Sequence, residues 1–256
     1  MLVVTLTGGI ASGKSTTSRL LSAPPHSLPL VDLDQLARQV VEPNDASRSL
    51  DKLVAHFGPS ILTPAGTLDR AALGRLAFGT GKEADRAVLN RITHGAVRRR
   101  LLWLVLGHWI RGTRILVVDT PLAVEAGLWR FCGEMVLVYC SKEAQLERML
   151  KRDGPNGLTE DDAKNRLASQ LPLDSKRVFA DVVLDNDVGS GASLEQQVDA
   201  LVARWKRQTS MGLGWLVSTV NWLLPPFGLV AAAWAIWGRT RRVQRQKGKE
   251  EQKKSK

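Results

Sequence analysis

The chain has 256 residues, of which 44% are hydrophobic, enough for one sizeable folded domain with an apolar core. Its net charge of +11 is concentrated in residues 204–256, which hold 12 Lys and Arg against 2 Asp and Glu, whereas residues 1–203 hold 24 against 23. A nearly neutral main part argues against a basic nucleic-acid-binding face, so we expect no nucleic-acid partner. The two cysteines, Cys132 and Cys140, lack the spacing of a zinc site.

Short apolar runs predict five buried β-strands, at Leu2–Thr7, Leu30–Asp34, Arg114–Asp119, Met135–Ser141 and Asp181–Asn186. Helix-like segments separate these runs, and the alternation predicts an α/β fold in which helices cover both faces of a parallel sheet. The long stretch Gln35–Gly112 contains only amphipathic helix patterns, the last of them spanning about Glu83 to Ile110. We interpret this stretch as a helical insertion that holds a specific substrate.

A glycine-rich segment directly follows the first strand and precedes a helix-forming stretch. It reads Gly-Gly-Ile-Ala-Ser-Gly-Lys-Ser and fits G-x-x-x-x-G-K-[ST] in full. Strand, loop and helix are the context that a phosphate-binding loop requires, so the segment predicts a nucleoside triphosphate site. In that site Lys14 reaches the β- and γ-phosphates and Ser15 binds Mg²⁺. The predicted nucleotide-binding residues are Gly8, Gly9, Ile10, Ala11, Ser12, Gly13, Lys14, Ser15 and Thr16.

Carboxylates close two of the predicted strands, and catalytic groups in open parallel sheets gather at such strand ends. Asp32 and Asp34 end the second strand, where the period of two places both on the same face. They could accept a hydroxyl proton or hold the metal, or one or both of them could cap the next helix at Gln35. Asp119 ends the third strand and is either a second metal contact or a capping residue before Pro121.

Basic residues follow the fourth strand, at Arg148, Lys151 and Arg152. Arg148 and Arg152 are four positions apart and therefore share one helix face. They either stabilise the charge of a transferring phosphoryl group or form a solvated helix face. The loop Gly154–Gly157 that follows favours a mobile lid, for which Arg166 is a third cationic candidate.

Together these motifs resemble the dephospho-CoA kinase family over about residues 1–205. The matching segments are Thr7–Ser15, Asp32–Val41, Gly66–Arg70, Asp119–Glu125, Arg152–Gln170 and Ala180–Asn186. The chain departs from the family at His94-Gly95, where the family usually has His-Pro, which puts the role of His94 in doubt. Its lid and its proline-rich loop at Ser22–Pro29 are also longer than in the family.

The resemblance implies a P-loop kinase fold: a five-stranded parallel sheet flanked by helices, a helical substrate-binding insertion and a lid. It implies that ATP and Mg²⁺ are used to phosphorylate the ribose 3′-hydroxyl of dephospho-CoA, giving CoA and ADP. Asp34 would take the hydroxyl proton. The catalytic set that the resemblance implies is Asp34, Lys14, Arg148 and Arg152. The substrate-binding set is Asp32, Arg38, Arg70 and Asp119.

Two other functions remain as alternatives to this one. The first is another small-molecule kinase with the same phosphate-binding loop. The second is a nucleotide-binding membrane scaffold without turnover, although the complete set of catalytic residues argues against it. A GTPase is not indicated, because the chain has no guanine-reading Asn-Lys-x-Asp tetrapeptide.

The C-terminal part contains an uncharged run of 28 residues, Met211–Gly238, which is longer than the ~20 residues that span a bilayer. Pro225-Pro226 divides the run, and basic residues flank both of its ends. Basic flanks favour the cytoplasmic side, so we slightly favour a helix–Pro-Pro–helix hairpin in one leaflet over a single kinked span.

These observations divide the chain into three parts. We predict a kinase domain at 1–208, a hydrophobic membrane anchor at 209–238 and a basic, disordered tail at 239–256 that contacts anionic headgroups. The kinase domain would then be membrane-associated and lie in the cytosol. The endoplasmic reticulum and the mitochondrial outer membrane are both compatible with this prediction.

Overall fold

The structure is a computed structural model of the chain. It describes residues 1–79, 81–187, 191–210, 236–238, 240–241 and 243–244. The chain divides into two compact units: the first contains residues 1–30 and 113–256, and the second contains residues 31–112.

Five strands form one sheet in the order β2-β3-β1-β4-β5, as the apolar runs predict. Their bounds are β1 (Leu2–Gly8), β2 (Leu30–Asp32), β3 (Ile115–Asp119), β4 (Glu134–Tyr139) and β5 (Val182–Asp185). The register of β1 with β3, of β1 with β4 and of β4 with β5 is parallel. The α/β class and the parallel sheet are therefore confirmed.

The helices of the first unit surround this sheet. They are α1 (Lys14–Ser22), α6 (Lys142–Asp153), α7 (Glu160–Ala168), α8 (Leu173–Arg177) and α9 (Leu194–Ser210). All five residues of β3 are buried, which explains why its first four residues are apolar without alternation. Trp205 of α9 is fully buried in the core beside Leu6 and Val138, and its Nε1 donates to Oε1 of Glu134 at 2.8 Å. This bond fixes α9 to the start of β4.

The second unit is built from helices α2 (Leu33–Gln39), α3 (Ser49–Phe57), α4 (Arg70–Ala77) and α5 (Glu83–Ile110). Its core contains Leu53, Ile61 and Leu73. Asp69 begins α4 by accepting hydrogen bonds from the backbone N–H groups of Ala71 and Ala72, at 2.9 Å each. The bounds of α5 are those that the sequence predicts.

The structure corrects the end of the second strand. β2 stops at Asp32, and its Oδ1 accepts from the N–H groups of Asp34 at 2.8 Å and Gln35 at 3.1 Å. Asp32 is therefore the N-cap of α2, and Asp34 lies in the first turn of that helix. The prediction that both aspartates share one strand face is wrong. The alternative that one of them caps the next helix is confirmed, with Asp32 rather than Asp34 as the cap. Because Asp32 caps the helix, α2 begins at Leu33, two residues before the helix start that the apolar run predicts.

The predicted membrane anchor falls almost entirely on residues 211–235, which lie outside the described ranges. Within those ranges, no helix combines the length and the apolar character that crossing a bilayer demands. Further along, 240–241 and 243–244 are helical, and Val243 is buried in a cluster with Ala123, Trp129 and Phe179. The division of the chain at residues 208 and 238, with a disordered tail after it, stays a prediction.

Candidate active site

The loop between β1 and α1 contains the predicted nucleotide-binding residues 8–16. No side chain caps α1, which leaves its first backbone N–H groups available to an anion. Gly13 has a φ of 99°, and a Cβ built on it would lie 2.3 Å from Nδ2 of Asn186. Only glycine meets both conditions, so the loop shape depends on this residue.

Ser12 supports the assignment of this loop to phosphate binding. Its Oγ is buried, and it has no hydrogen-bond partner among the residues that the structure describes. A buried hydroxyl without a partner costs about 1–3 kcal/mol. A phosphate oxygen held by the loop would supply the missing partner, and the fit therefore favours a bound triphosphate.

Lys14 and Asp119 meet at this loop. Nζ of Lys14 donates to Oδ1 of Asp119 at 2.6 Å, and Oγ of Ser18 donates to Oδ2 of the same carboxylate at 2.6 Å. Asp119 ends β3 and is 4% exposed. The structure thus brings two predicted site residues, 105 positions apart, into direct contact. The role of Asp119 in substrate binding stays a prediction.

Two glutamines that were not predicted as site residues hold the middle of the loop. Nε2 of Gln145, in the first turn of α6, donates to the carbonyl of Ile10 at 2.6 Å. The N–H of Ile10 donates to Oε1 of Gln170 at 3.2 Å. Both polar groups of one loop residue are therefore bonded to side chains, one from α6 and one from the segment between α7 and α8.

Asn186 and Arg148 hold the next part of the loop. Nδ2 of Asn186, which directly follows β5, donates to the carbonyl of Ser12 at 2.9 Å. The guanidinium of Arg148 donates to the carbonyls of Ala11 at 3.5 Å and Asn186 at 2.7 Å. Arg148 therefore lies at the phosphate-binding loop, and its predicted contact with a transferring phosphoryl group stays a prediction.

Arg152 has a different environment from Arg148. It is 61% exposed and makes two bonds of 2.8 Å to the carboxylate of Asp153. Arg166 lies 3.9 Å from the same carboxylate. The hydrogen bonds from Arg152 lower the pKa of Asp153 and raise the pKa of Arg152 itself. Arg152 and Arg166, the two arginines of the predicted lid, therefore both lie beside the carboxylate of Asp153.

The substrate-binding residues predicted from the insertion lie in the second unit. A cavity of about 290 Å³ in this unit is lined mainly by apolar side chains, and its polar members are Arg70, Asn90, Thr93 and His94. His94, whose role the sequence left open, therefore lines the same cavity as Arg70. Arg38 is exposed in the last turn of α2.

Residues at the phosphate-binding loop provide oxygen atoms that suit a magnesium ion. Mg²⁺ in nucleotide sites typically keeps several waters and binds one or two protein oxygens plus the substrate phosphates. The exposed Ser15 hydroxyl at the start of α1 and the Asp119 carboxylate provide such oxygens. Within the described part of the chain, no group of three or more His, Cys, Asp or Glu side chains lies close enough together to hold a metal ion.

A family model described as dephospho-CoA kinase matches residues 2–191. The chain belongs to the dephospho-CoA kinase family. It is 41% identical to a dephospho-CoA kinase of Arabidopsis thaliana over 207 residues, which cover 81% of this chain and 85% of that one. It is also 40% identical to the dephospho-CoA kinase CAB5 of Saccharomyces cerevisiae over 242 residues, covering 93% and 94%.

Solved structures agree with this family assignment at the level of the fold. The crystal structure of TT1252 from Thermus thermophilus superposes with a TM-score of 0.62 at 29% identity, covering 79% of this chain and 97% of that one. The dephospho-CoA kinase of Campylobacter jejuni, at 24% identity, has a TM-score of 0.52 and covers 79% and 96%. The expected P-loop kinase fold is therefore confirmed.

Proposed function

We propose that this member of the dephospho-CoA kinase family transfers the γ-phosphoryl group of ATP to the ribose 3′-hydroxyl of dephospho-CoA, giving CoA and ADP. The observation that carries the proposal is the loop at residues 8–16. Its lysine, Lys14, lies against the buried carboxylate of Asp119. The side chains of Gln145 in α6, Gln170 before α8 and Asn186 after β5 hold the loop backbone. Phosphoryl transfer depends mainly on such positioning and on charge stabilisation.

Each residue has a defined task in this reaction. Lys14 and the first N–H groups of α1 bind the phosphates, and Arg148 and Arg152 meet the charge that develops on the transferring group. Asp34 accepts the proton of the 3′-hydroxyl. A bound Mg²⁺ would neutralise phosphate charge, and Ser15 with Asp119 are the residues that would hold it.

The second unit supports the acceptor assignment. Its cavity combines apolar walls with the guanidinium of Arg70, the amide of Asn90 and the imidazole of His94. Dephospho-CoA carries phosphates beside a long arm with amide groups, and this donor set suits both. Arg38 lies on α2, which begins directly at the Asp32 cap.

An acceptor panel tests the proposal against another small-molecule kinase and against a scaffold without turnover. Purified protein receives ATP, Mg²⁺ and one acceptor at a time, namely dephospho-CoA, shikimate or adenosine, and ADP release is measured. We expect turnover with dephospho-CoA alone, and the product must have the mass of CoA. Lys14→Ala should abolish this turnover, whereas Lys164→Ala, an exposed lysine paired with Glu160, should not. Preference for another acceptor, or ATP binding without turnover, contradicts the proposal.

We propose further that the uncharged run at residues 211–238 anchors the protein to a membrane as a hairpin in one leaflet. Two described features support the hairpin over a single span. Trp205, which precedes the run, lies in the core of the first unit. Val243, which follows the run, is buried in the same unit in a cluster with Trp129. A single span would separate these two residues by a bilayer. The match to the yeast relative covers 93% of this chain and therefore extends beyond residue 208.

Protease added to the cytosolic face of intact membranes tests this topology. A hairpin exposes an epitope placed after Lys256, and the protease removes it together with the kinase domain. A protected epitope would mean that the chain crosses the membrane. The same fractions, separated into endoplasmic reticulum and mitochondrial outer membrane, identify the compartment that binds the protein.

A further inference from the structure

Lys176 is a charged residue for which neither the sequence motifs nor the nucleotide site gives a task. It lies in α8 and has no exposed surface. Burial of an ammonium group is costly unless the group is paired and hydrogen-bonded. The partners of Lys176 therefore indicate what the protein gains from it.

Both partners belong to the loop that follows β3. Nζ of Lys176 donates to the carbonyl of Pro121 at 2.8 Å and lies 2.9 Å from Oε1 of Glu125. The Pro121 carbonyl also accepts from Oγ1 of Thr7 at 3.2 Å, which uses both of its lone pairs. One buried ammonium group and one buried hydroxyl thus fix the position of this carbonyl.

The fixed carbonyl lies two residues after Asp119. Because the peptide backbone has only two soft dihedrals per residue, fixing Pro121 restricts where the Asp119 carboxylate can lie. That carboxylate is the group that contacts Lys14 at 2.6 Å. A short covalent path therefore connects the buried lysine with the lysine of the phosphate-binding loop.

The segment that carries Lys176 also touches the phosphate-binding loop directly. Six residues earlier, Gln170 accepts from the N–H of Ile10 at 3.2 Å. The side chain of Leu173 lies 3.3 Å from the position of a Cβ built on Gly9. Residues 170–176 thus contact the phosphate-binding loop at one end and the loop after β3 at the other.

We propose that Lys176 is a positioning residue for phosphoryl transfer, which holds Asp119 in register with Lys14 by fixing the loop after β3. The inference rests on the proposed function and adds a residue that never touches the substrate. Glu125 neutralises the buried ammonium group, which accounts for an acid at this point of the loop. Lys176 thereby keeps the loop after β3 in place beside the phosphate-binding loop.

The first test is Lys176→Met, which keeps the length of the side chain and removes its charge. A misplacement of about 1 Å can cost about 100-fold in rate, so we expect kcat to fall about 10- to 100-fold. The KM for ATP should change less than about threefold, because Lys14 and the loop backbone remain. Lys164→Met, at an exposed lysine of the same region, is the matched control and should leave both constants unchanged.

A double-mutant cycle with Asp119→Asn separates positioning from a merely structural role. If Lys176 acts through Asp119, Lys176→Met should lower kcat less than about threefold further in the Asp119→Asn background. A structural role predicts an equal loss in both backgrounds and a lowered melting temperature. If Lys176→Met does not fold, the double variant Lys176→Met/Glu125→Gln, which removes both charges, is used in the cycle in place of Lys176→Met.

The outcomes distinguish the two proposals. Wild-type protein without dephospho-CoA turnover contradicts the proposed function. Active wild-type protein with an equally active, folded Lys176→Met variant contradicts only the positioning role, as do additive losses in the cycle.

Discussion

The substitution Gly13→Ala tests the geometry of the phosphate-binding loop most sharply. Gly13 has a φ of 99°, and its added Cβ would lie 2.3 Å from Nδ2 of Asn186. That amide donates to the carbonyl of Ser12 at 2.9 Å. The methyl group therefore strains the backbone and displaces a side chain that holds the loop.

The two effects have separate magnitudes. A left-handed conformation costs an L-residue about 1–2 kcal/mol. Displacing Asn186 breaks a hydrogen bond to a loop carbonyl, which adds about 1–3 kcal/mol. We expect Gly13→Ala to destabilise the protein by about 2–5 kcal/mol. Gly127→Ala, at a φ of 69° with only the end of a flexible Arg130 side chain within 4 Å, should cost the backbone part alone.

Urea unfolding gives both free energies, and calorimetric titration gives the affinity for ATP. Gly13→Ala should also weaken ATP binding at least about tenfold, equal to 1.4 kcal/mol, whereas Gly127→Ala should leave it unchanged. Equal losses of stability for the two variants, with normal ATP affinity in Gly13→Ala, would refute the role assigned to Asn186.

Three further predictions concern other parts of the first unit and the acceptor site. Lys14→Ala should weaken ATP binding and abolish turnover, because it removes a phosphate contact. Asp34→Asn should bind ATP normally and lose about 10²–10⁴-fold in kcat, as titration and steady-state assays can show. Normal turnover in Asp34→Asn would contradict the role of Asp34 as the base. Trp205→Ala should cost about 3–5 kcal/mol in urea unfolding, because a fully buried ring and its bond to Glu134 are lost; a loss below 1 kcal/mol would contradict the packing of α9. Burial raises the pKa of Cys140 to about 11, so its thiol stays protonated at pH 8. Iodoacetamide should therefore modify Cys140 only after the protein unfolds, which peptide mass spectrometry can measure.

The sequence predicted the parts of the fold that local signals encode. Apolar runs gave the five strands, and the glycine pattern gave the loop at residues 8–16. The second strand was predicted too long, because Asp32 caps a helix and an apolar run alone does not show where a cap competes with a strand.

The side chains that hold the loop could not be predicted in the same way. Gln145 contacts Ile10 across 135 positions, and Asn186 contacts Ser12 across 174. No periodicity or spacing relates such residues, and their proximity arises only when parallel strands bring their carboxyl ends together. Asn186 carried one signal, because it is the polar residue that ends a predicted strand.

Two analogues of the acceptor test whether the phosphoryl group is transferred to the ribose 3′-hydroxyl. Purified full-length protein receives ATP, Mg²⁺ and either 2′-deoxy or 3′-deoxy dephospho-CoA, and product is identified by mass and by the ³¹P signal of a new phosphomonoester. We expect the 2′-deoxy analogue to be phosphorylated and the 3′-deoxy analogue to remain unchanged. Phosphorylation of the 3′-deoxy analogue, or of neither analogue by protein that turns over dephospho-CoA itself, would contradict transfer to the 3′-hydroxyl.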